Sequence, residues 1–229
     1  MLDQLFLFLG SLIANTMSAL AGGGTGLVQF PLLIFLGLPF SVALATHKVA
    51  TVALGLGATY RHLKHKQDFD WRLAVYVALS GVLGTILGAY IIIQVPERTA
   101  ELTLGIITVA IGVYSTQKKQ MGEIANPKNR NIKGYILGGL VLFLIGVFNG
   151  SITSGSGLFV TVWLITWFGL DFKTAVMYTM VFVGLLWNSM GAITIVTLGQ
   201  HIQWNWMPAL LLGSFIGGYA GTHLALLKG

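Results

Sequence analysis

The sequence predicts an all-α fold: a polytopic bundle of transmembrane helices built from two inverted-topology repeats, with short or broken helices at Gly/Ser-rich loops. Three observations carry this. Of 229 residues, 55% are hydrophobic and only 9% are Asp, Glu, Lys or Arg, against about 25% charged in soluble domains. Apolar runs lie near 4–20, 26–38, 40–60, 72–95, 99–117, 133–150, 156–169, 172–198 and 205–227, most of them close to the roughly 20 residues that a crossing needs. Short motifs recur at a spacing of 131–133 residues.

The same composition excludes disorder, which needs low hydrophobicity and high charge. There is no cysteine, so disulfides, thiolate nucleophiles and Cys-ligated metals are excluded. The 30 glycines follow no G-X-Y period; scattered through apolar runs, they suit close helix packing in a membrane.

The runs 26–38 and 156–169 are too short to cross. Each follows a break, Gly22-Gly23-Gly24-Thr25-Gly26 or Ser154-Gly155-Ser156-Gly157, as in transporters with interrupted helices. At a spacing of 131, Gly24-Thr25-Gly26-Leu27 matches Gly155-Ser156-Gly157-Leu158. At 132, Gly37-Leu38, Phe40 and Ala43 match Gly169-Leu170, Phe172 and Ala175. At 133, Trp71, Gly84 and Gly88 match Trp204, Gly217 and Gly221. The spacing creeps upward as two single-residue insertions would make it, and duplication explains the shared order.

Charge tests the orientation. Arg61, Lys64, Lys66 and Arg72 border one loop, and Lys118, Lys119, Lys128, Arg130 and Lys133 border the longest hydrophilic segment. Such clusters follow the positive-inside rule and explain the net charge of +6 without nucleic acid. The counterpart of the first basic loop, 198–203, has no Lys or Arg, so the copies are expected to be inverted. The N-terminus then lies outside and the C-terminus inside, in a bacterial-type inner membrane. Eleven of the thirteen cations face the cytoplasm, Arg98 faces outward and Lys48 lies within a span. Met1-Leu2-Asp3 lacks a positive n-region, so no cleaved signal peptide is expected. The expected units are a first repeat over 1–117, a cytoplasmic basic linker over 118–132, and a second repeat over 133–229 lacking a counterpart of the last helix.

Glycines let backbone N–H groups approach a ligand, and a helix starting just after them presents unpaired N–H groups and a positive dipole end. Gly22, Gly23, Gly24, Thr25 and Gly26 with Ser154, Gly155, Ser156 and Gly157 therefore form a candidate anion site; the alternative is small-residue packing. Lys48 sits mid-span with no Asp or Glu central to any run, so an anionic substrate would supply its counter-charge. The alternative is a lysine reaching a water-filled vestibule or backbone carbonyls. Met180 aligns with it, which makes the site asymmetric. His47 is a candidate proton-linked group. Asn15, Thr46, Asn149, Tyr178 and Asn188 are polar groups in apolar runs, placed to line a pathway or to join helices. His62 and His65 read as a solvated face.

These residues resemble the TauE/SafE family, also called TSUP, of sulfite exporter-like permeases. The likeness runs from Asn15 to Leu36, with Pro31-Leu32-Leu33 after the glycines. It continues through Gly37-Leu38-Pro39-Phe40, Ala43, Ala45-Thr46 and Lys48, and returns at Asn149-Gly150, Ser154–Gly157 and Gly169-Leu170. His47 departs from it, standing where a small polar residue is commoner. The resemblance implies transport of a small sulfur-containing anion such as sulfite, thiosulfate or an organosulfonate. Alternating access around a central site is the expected mechanism; an anion channel, or a sodium-linked transporter of another small organic anion, is the alternative. A coupling ion, sodium or proton, remains open, as does the oligomeric state. No enzyme activity and no cofactor are expected: Ser154 and Ser156 lack the glycine two positions earlier of a Gly-x-Ser-Gly nucleophile, where Ile152 and Ser154 stand, no clear base accompanies them, and His and carboxylates do not cluster as metal ligands.

Overall fold

The computed structural model describes residues 2–64, 70–116 and 122–228. Lys66, His65, Lys118 and Lys119 of the basic loops lie outside them. Helix α1 spans Leu2–Ala21; a 3₁₀ turn, Thr25–Leu27, leads into α2, Gln29–Phe35. Then follow α3 (Phe40–Leu63), α4 (Trp71–Ile93), α5 (Glu97–Thr116), α6 (Ile132–Ser151) and α7 (Ser156–Phe168). Helix α8 (Phe172–Tyr178) runs through a π-helical stretch, Thr179–Trp187, into α9 (Asn188–Thr197). A 3₁₀ turn, Trp204–Trp206, opens α10, Met207–Lys228. Among the described residues there is no strand, and six helical spans have the length and composition to cross a membrane.

The ends of these helices follow from local chemistry. Asp70 caps α4 by accepting from Arg72 N and Leu73 N, Asn131 caps α6 through Gly134 N, and Asp171 caps α8 through Thr174 N. The N-terminus of α3 follows Pro39 and is capped from a distance: Phe40 N donates to Glu97 Oε1 at 2.6 Å.

Contacts between helix ends sort the bundle into two poles. Tyr178 Oη donates to Asp70 O (2.9 Å), Arg130 pairs with Asp70 (3.7 Å), and Arg61 Nε donates to His223 Nδ1 (3.0 Å). This is the basic pole. Gln4, Asn205, Thr46, Gln203, Phe40 and Glu97 meet at the other. The α1–α2 hairpin enters from that second pole and the α6–α7 hairpin from the basic one. In each, a helix of crossing length turns back into a shorter one. Gly22, at the turn of the first, accepts a hydrogen bond from Thr161, about 10 Å along the helix axis from the end of α7 at Phe168. His62, read as solvated, is instead buried, because α3 continues to Leu63 and its last turns pack on α10 through Arg61–His223 and Tyr60–Tyr219.

The largest helix pairings are α1 with α10 and α4 with α6, and both depend on missing side chains. A Cβ on Gly84 or Gly88 would lie 2.1 or 2.0 Å from the carbonyl oxygens of Phe143 or Val147 in α6. On Gly217 or Gly221 it would lie 2.8 or 2.4 Å from those of Leu12 or Thr16 in α1. The four glycines matched in sequence thus mark close backbone approach in two parallel helix pairs. Gly84→Ala is expected to lower thermal stability in detergent by about 1–3 kcal/mol. Gly105→Ala, where an added Cβ meets nothing within 4 Å, is expected to leave it unchanged or slightly higher. Equal melting temperatures for the two variants would refute this account of the packing.

Candidate functional site

Two interrupted helices meet at the centre of the molecule. After α1, Gly22, Gly23 and Gly24 all take positive φ, at 81°, 129° and 105°. Side chains rarely adopt that region, and a Cβ on Gly23 would lie 2.4 Å from the backbone carbon of Gly157. The loop is pinned by Gly23 N donating to Ser18 O (2.8 Å) and Thr25 N to Ser18 Oγ (3.1 Å). After α6 the chain turns through Thr153, whose φ is +59°, and Gly155, at +77°. Ser156 Oγ closes this turn by donating to Thr153 O (2.8 Å) and accepts from Asn149 Nδ2 (2.9 Å). The two loops therefore touch backbone to backbone.

Where they touch there is a cavity of about 30 Å³, room for one or two water-sized groups. Of the expected site residues, Gly23, Gly24, Thr25, Gly26, His47, Asn149, Ser156 and Gly157 line it. Ser18, Thr51, Thr153, Thr179 and Asn188 add polar side chains, and Leu54, Met180 and Val183 give an apolar wall. No Asp or Glu lines it. Gly157 lies in the first turn of α7, where backbone N–H groups have no intrahelical acceptor. The Thr25 hydroxyl is buried and has no hydrogen-bond partner. The first loop departs from expectation in one respect: a 3₁₀ turn and a seven-residue helix follow it, so only the second loop feeds a long helix.

Lys48 is fully buried but does not line the cavity. Its Nζ donates to Asn149 O at 2.8 Å and lies 3.4 Å from both Asn149 Oδ1 and Asn188 Oδ1. The ammonium reaches a carbonyl at the C-terminal end of α6, where the helix dipole favours a cation. Its stem crosses Gly191, where a Cβ would lie 2.9 Å from Lys48 Cδ. Asn149 and Asn188 both line the cavity, so the cation sits one side chain behind its wall.

Five other expected residues stand apart from the cavity lining. Gly22 O binds Thr161, Thr46 Oγ accepts from Gln203 N, and Tyr178 Oη donates to Asp70 O. Ser154 Oγ pairs with Thr108 Oγ at 2.9 Å, and Gly155 packs under Ile111. Thr51 and Thr179 were legible in principle, the first one helical turn from His47 and the second at the position matching His47 in the other half. Ser18 and Thr153 gain their roles from loop geometry alone.

This placing of two glycine loops at one buried centre can be set beside known proteins. Residues 7–228 match the family described as sulfite exporter TauE/SafE. The chain belongs to that family. It is 25% identical over 227 residues to a "Probable membrane transporter protein" of Haemophilus influenzae, covering 97% of this chain and 85% of that protein. It is also 25% identical over 224 residues to "Probable membrane transporter protein ORF9" of a Sinorhizobium species, covering 98% and 84%. The same identity holds over 223 residues of "Probable membrane transporter protein YfcA" of Escherichia coli, covering 97% and 81%. No solved structure is a significant match. With six spans of crossing length among the described residues, this TauE/SafE member is a multi-pass membrane protein.

The setting of Lys48 makes a prediction about stability. Lys48→Met replaces a buried cation by an apolar chain, and relief of its desolvation is expected to offset the lost hydrogen bonds, leaving stability within about 1 kcal/mol of the parent. Asn149→Ala strips hydrogen bonds from Lys48 and Ser156 and is expected to cost about 1–3 kcal/mol. Thermal melts of the two purified variants check the contrast, and a large loss for Lys48→Met would make the ammonium a structural post.

Proposed function

We propose that this TauE/SafE member is a carrier for a small, sulfur-containing oxyanion, such as sulfite, thiosulfate or an organosulfonate. The observation that carries the reading is the unpartnered, buried hydroxyl of Thr25. It belongs to a cavity rich in N–H and O–H donors, free of carboxylates and backed by the Lys48 ammonium. An oxyanion brings the acceptors such a site lacks and the negative charge that Lys48 lacks. Thr25, Ser156, the backbone around Gly23–Gly26 and Gly157, and Lys48 acting through Asn149 are the assigned binding groups. The description of the family points to sulfur chemistry.

Transport proceeds by alternating access of two inverted repeats, 1–117 and 133–229, joined by the basic linker 118–132. Hairpins entering from opposite poles support that reading, as do matched glycines in two parallel helix pairs. The cavity of about 30 Å³ belongs to a closed conformation, and the loops part to admit an oxyanion. The basic pole faces the cytoplasm, which places the N-terminus outside and the C-terminus inside a bacterial inner membrane.

Thermal-shift titration with sulfite, thiosulfate, sulfate, methanesulfonate and simple carboxylates tests the site. A stabilising oxyanion is expected to bind about 5–10-fold more weakly to Thr25→Val, which loses one hydrogen bond, to Ser156→Ala, which loses the hydroxyl that closes the turn before Gly157, and to Lys48→Ala. Unchanged affinity in all three variants would sink the assignment. In proteoliposomes a carrier shows saturation and counterflow, whereas a channel shows neither.

A further inference from the structure

His47 and its partners form a buried polar chain that anion binding alone does not require. Ser11, Asn15, Gln29, His47, Thr51 and Ser214 are all buried, and they join α1, α2, α3 and α10. The proton positions follow from the acceptors. Ser11 Oγ donates to Leu210 O (2.9 Å), so toward Gln29 it can only accept. Gln29 Nε2 donates to it at 2.8 Å, which turns Gln29 Oε1 toward His47 Nδ1 at 2.8 Å. An amide oxygen only accepts, so Nδ1 carries hydrogen. The ring is held in place by stacking on Phe30, centroid to centroid 5.7 Å.

The other nitrogen, Nε2, lies 3.3 Å from Thr51 Oγ, and that hydroxyl donates to His47 O at 2.8 Å. With its own proton so used, Thr51 Oγ offers Nε2 a lone pair. The arrangement therefore accommodates a second ring hydrogen, Nε2–H donating to Thr51. When Nε2 is bare, rotation of the Thr51 hydroxyl supplies it with a donor instead. Both states are hydrogen-bonded without moving a heavy atom, and both residues line the cavity. Among the described residues no carboxylate bonds the ring or lines its cavity: the ring meets Gln29, Thr51 and the stacked Phe30. The charged neighbour is Lys48 on the same helix, its Nζ directed at Asn149.

We infer that His47 couples anion transport to protons: the anion travels with one proton bound at Nε2, taken up on one side and released on the other. No covalent bond to the anion forms and nothing is oxidised; the proton adds to the Nε2 lone pair and leaves it. The inference rests on the transport reading above and deepens it by naming the coupled ion.

The test uses the full chain in proteoliposomes containing a trapped pH dye, with thiosulfate or methanesulfonate outside. Neither anion carries a proton of its own near neutral pH, so acidification of the lumen reports protons moved by the protein. The expected result is about one proton per anion in the parent protein. In His47→Gln the ratio falls to near zero while some anion counterflow persists. Thr51→Val, which is nearly isosteric and removes the acceptor of Nε2–H, also lowers the ratio. It decides the matter if His47→Gln does not fold. Anion flux without acidification in the parent overturns the inference and leaves the carrier reading standing. So does a ratio that survives His47→Gln or Thr51→Val but collapses in Lys48→Met, which would move the proton to the lysine. No flux and no thermal shift with any oxyanion overturns the carrier reading itself, and the proton site with it.

Discussion

A hydrocarbon interior supplies no water for the unpaired ends of a helix, and this chain ends two helices inside the molecule. The contact between Gly23 and Gly157 is the form the solution takes. Serine and threonine side chains absorb part of the deficit, with Ser18 receiving Thr25 N and Ser156 closing on Thr153 O. What they leave over, the first turn of α7 and the Thr25 hydroxyl, surrounds the cavity. The donors that the proposed site uses are thus left over from breaking a helix in a membrane. Any side chain at Gly23 would separate the loops.

The surrounding bundle holds that contact by a second use of absence. Gly84 and Gly88 let α4 lie against α6, and Gly217 and Gly221 let α10 lie against α1. Each hairpin is thereby fastened to a long helix contributed by the other half of the chain. Gly81 accommodates an aromatic side chain instead: the Trp187 indole fills the space its Cβ would occupy and donates to Ala78 O at 3.2 Å. Lys48 ties the same region together from within, spanning from α3 past Gly191 to Asn149 and Asn188.

Much of this was legible in residue order. The apolar runs located the long helices to within a few residues, since helix length in a membrane is set by bilayer thickness and Gly, Pro and Asp mark the ends. The two glycine loops were legible because their residue types recur. The destination of Lys48 was not, because a flexible four-carbon stem leaves several acceptors in reach and sequence gives no direction. Thr46 and Tyr178 were drawn toward the centre by polarity alone, whereas they satisfy backbone groups near the two poles. His62 was misread because basic neighbours say nothing about which face of a final helical turn packs. The proton arrangement around His47 lies beyond sequence altogether, since it depends on Ser11, Leu210 and Gln29 converging from three helices.

The π-helical stretch Thr179–Trp187 bears on the uneven spacing of the motifs. Between Ala175 and Trp204 the offset from the first half grows from 132 to 133 residues, and the wide turns fall inside that interval. A π-turn is how a helix houses a surplus residue without rotating everything beyond it. On the duplication reading, the second half bears there the scar of one insertion. Asn188 Nδ2 donates to a carbonyl midway along it, Val183 O, at 2.7 Å, and its own Oδ1 faces Lys48. On that reading an accident of length is part of the asymmetry between the halves: the side with the extra residue supplies the amide, and the other supplies the charge.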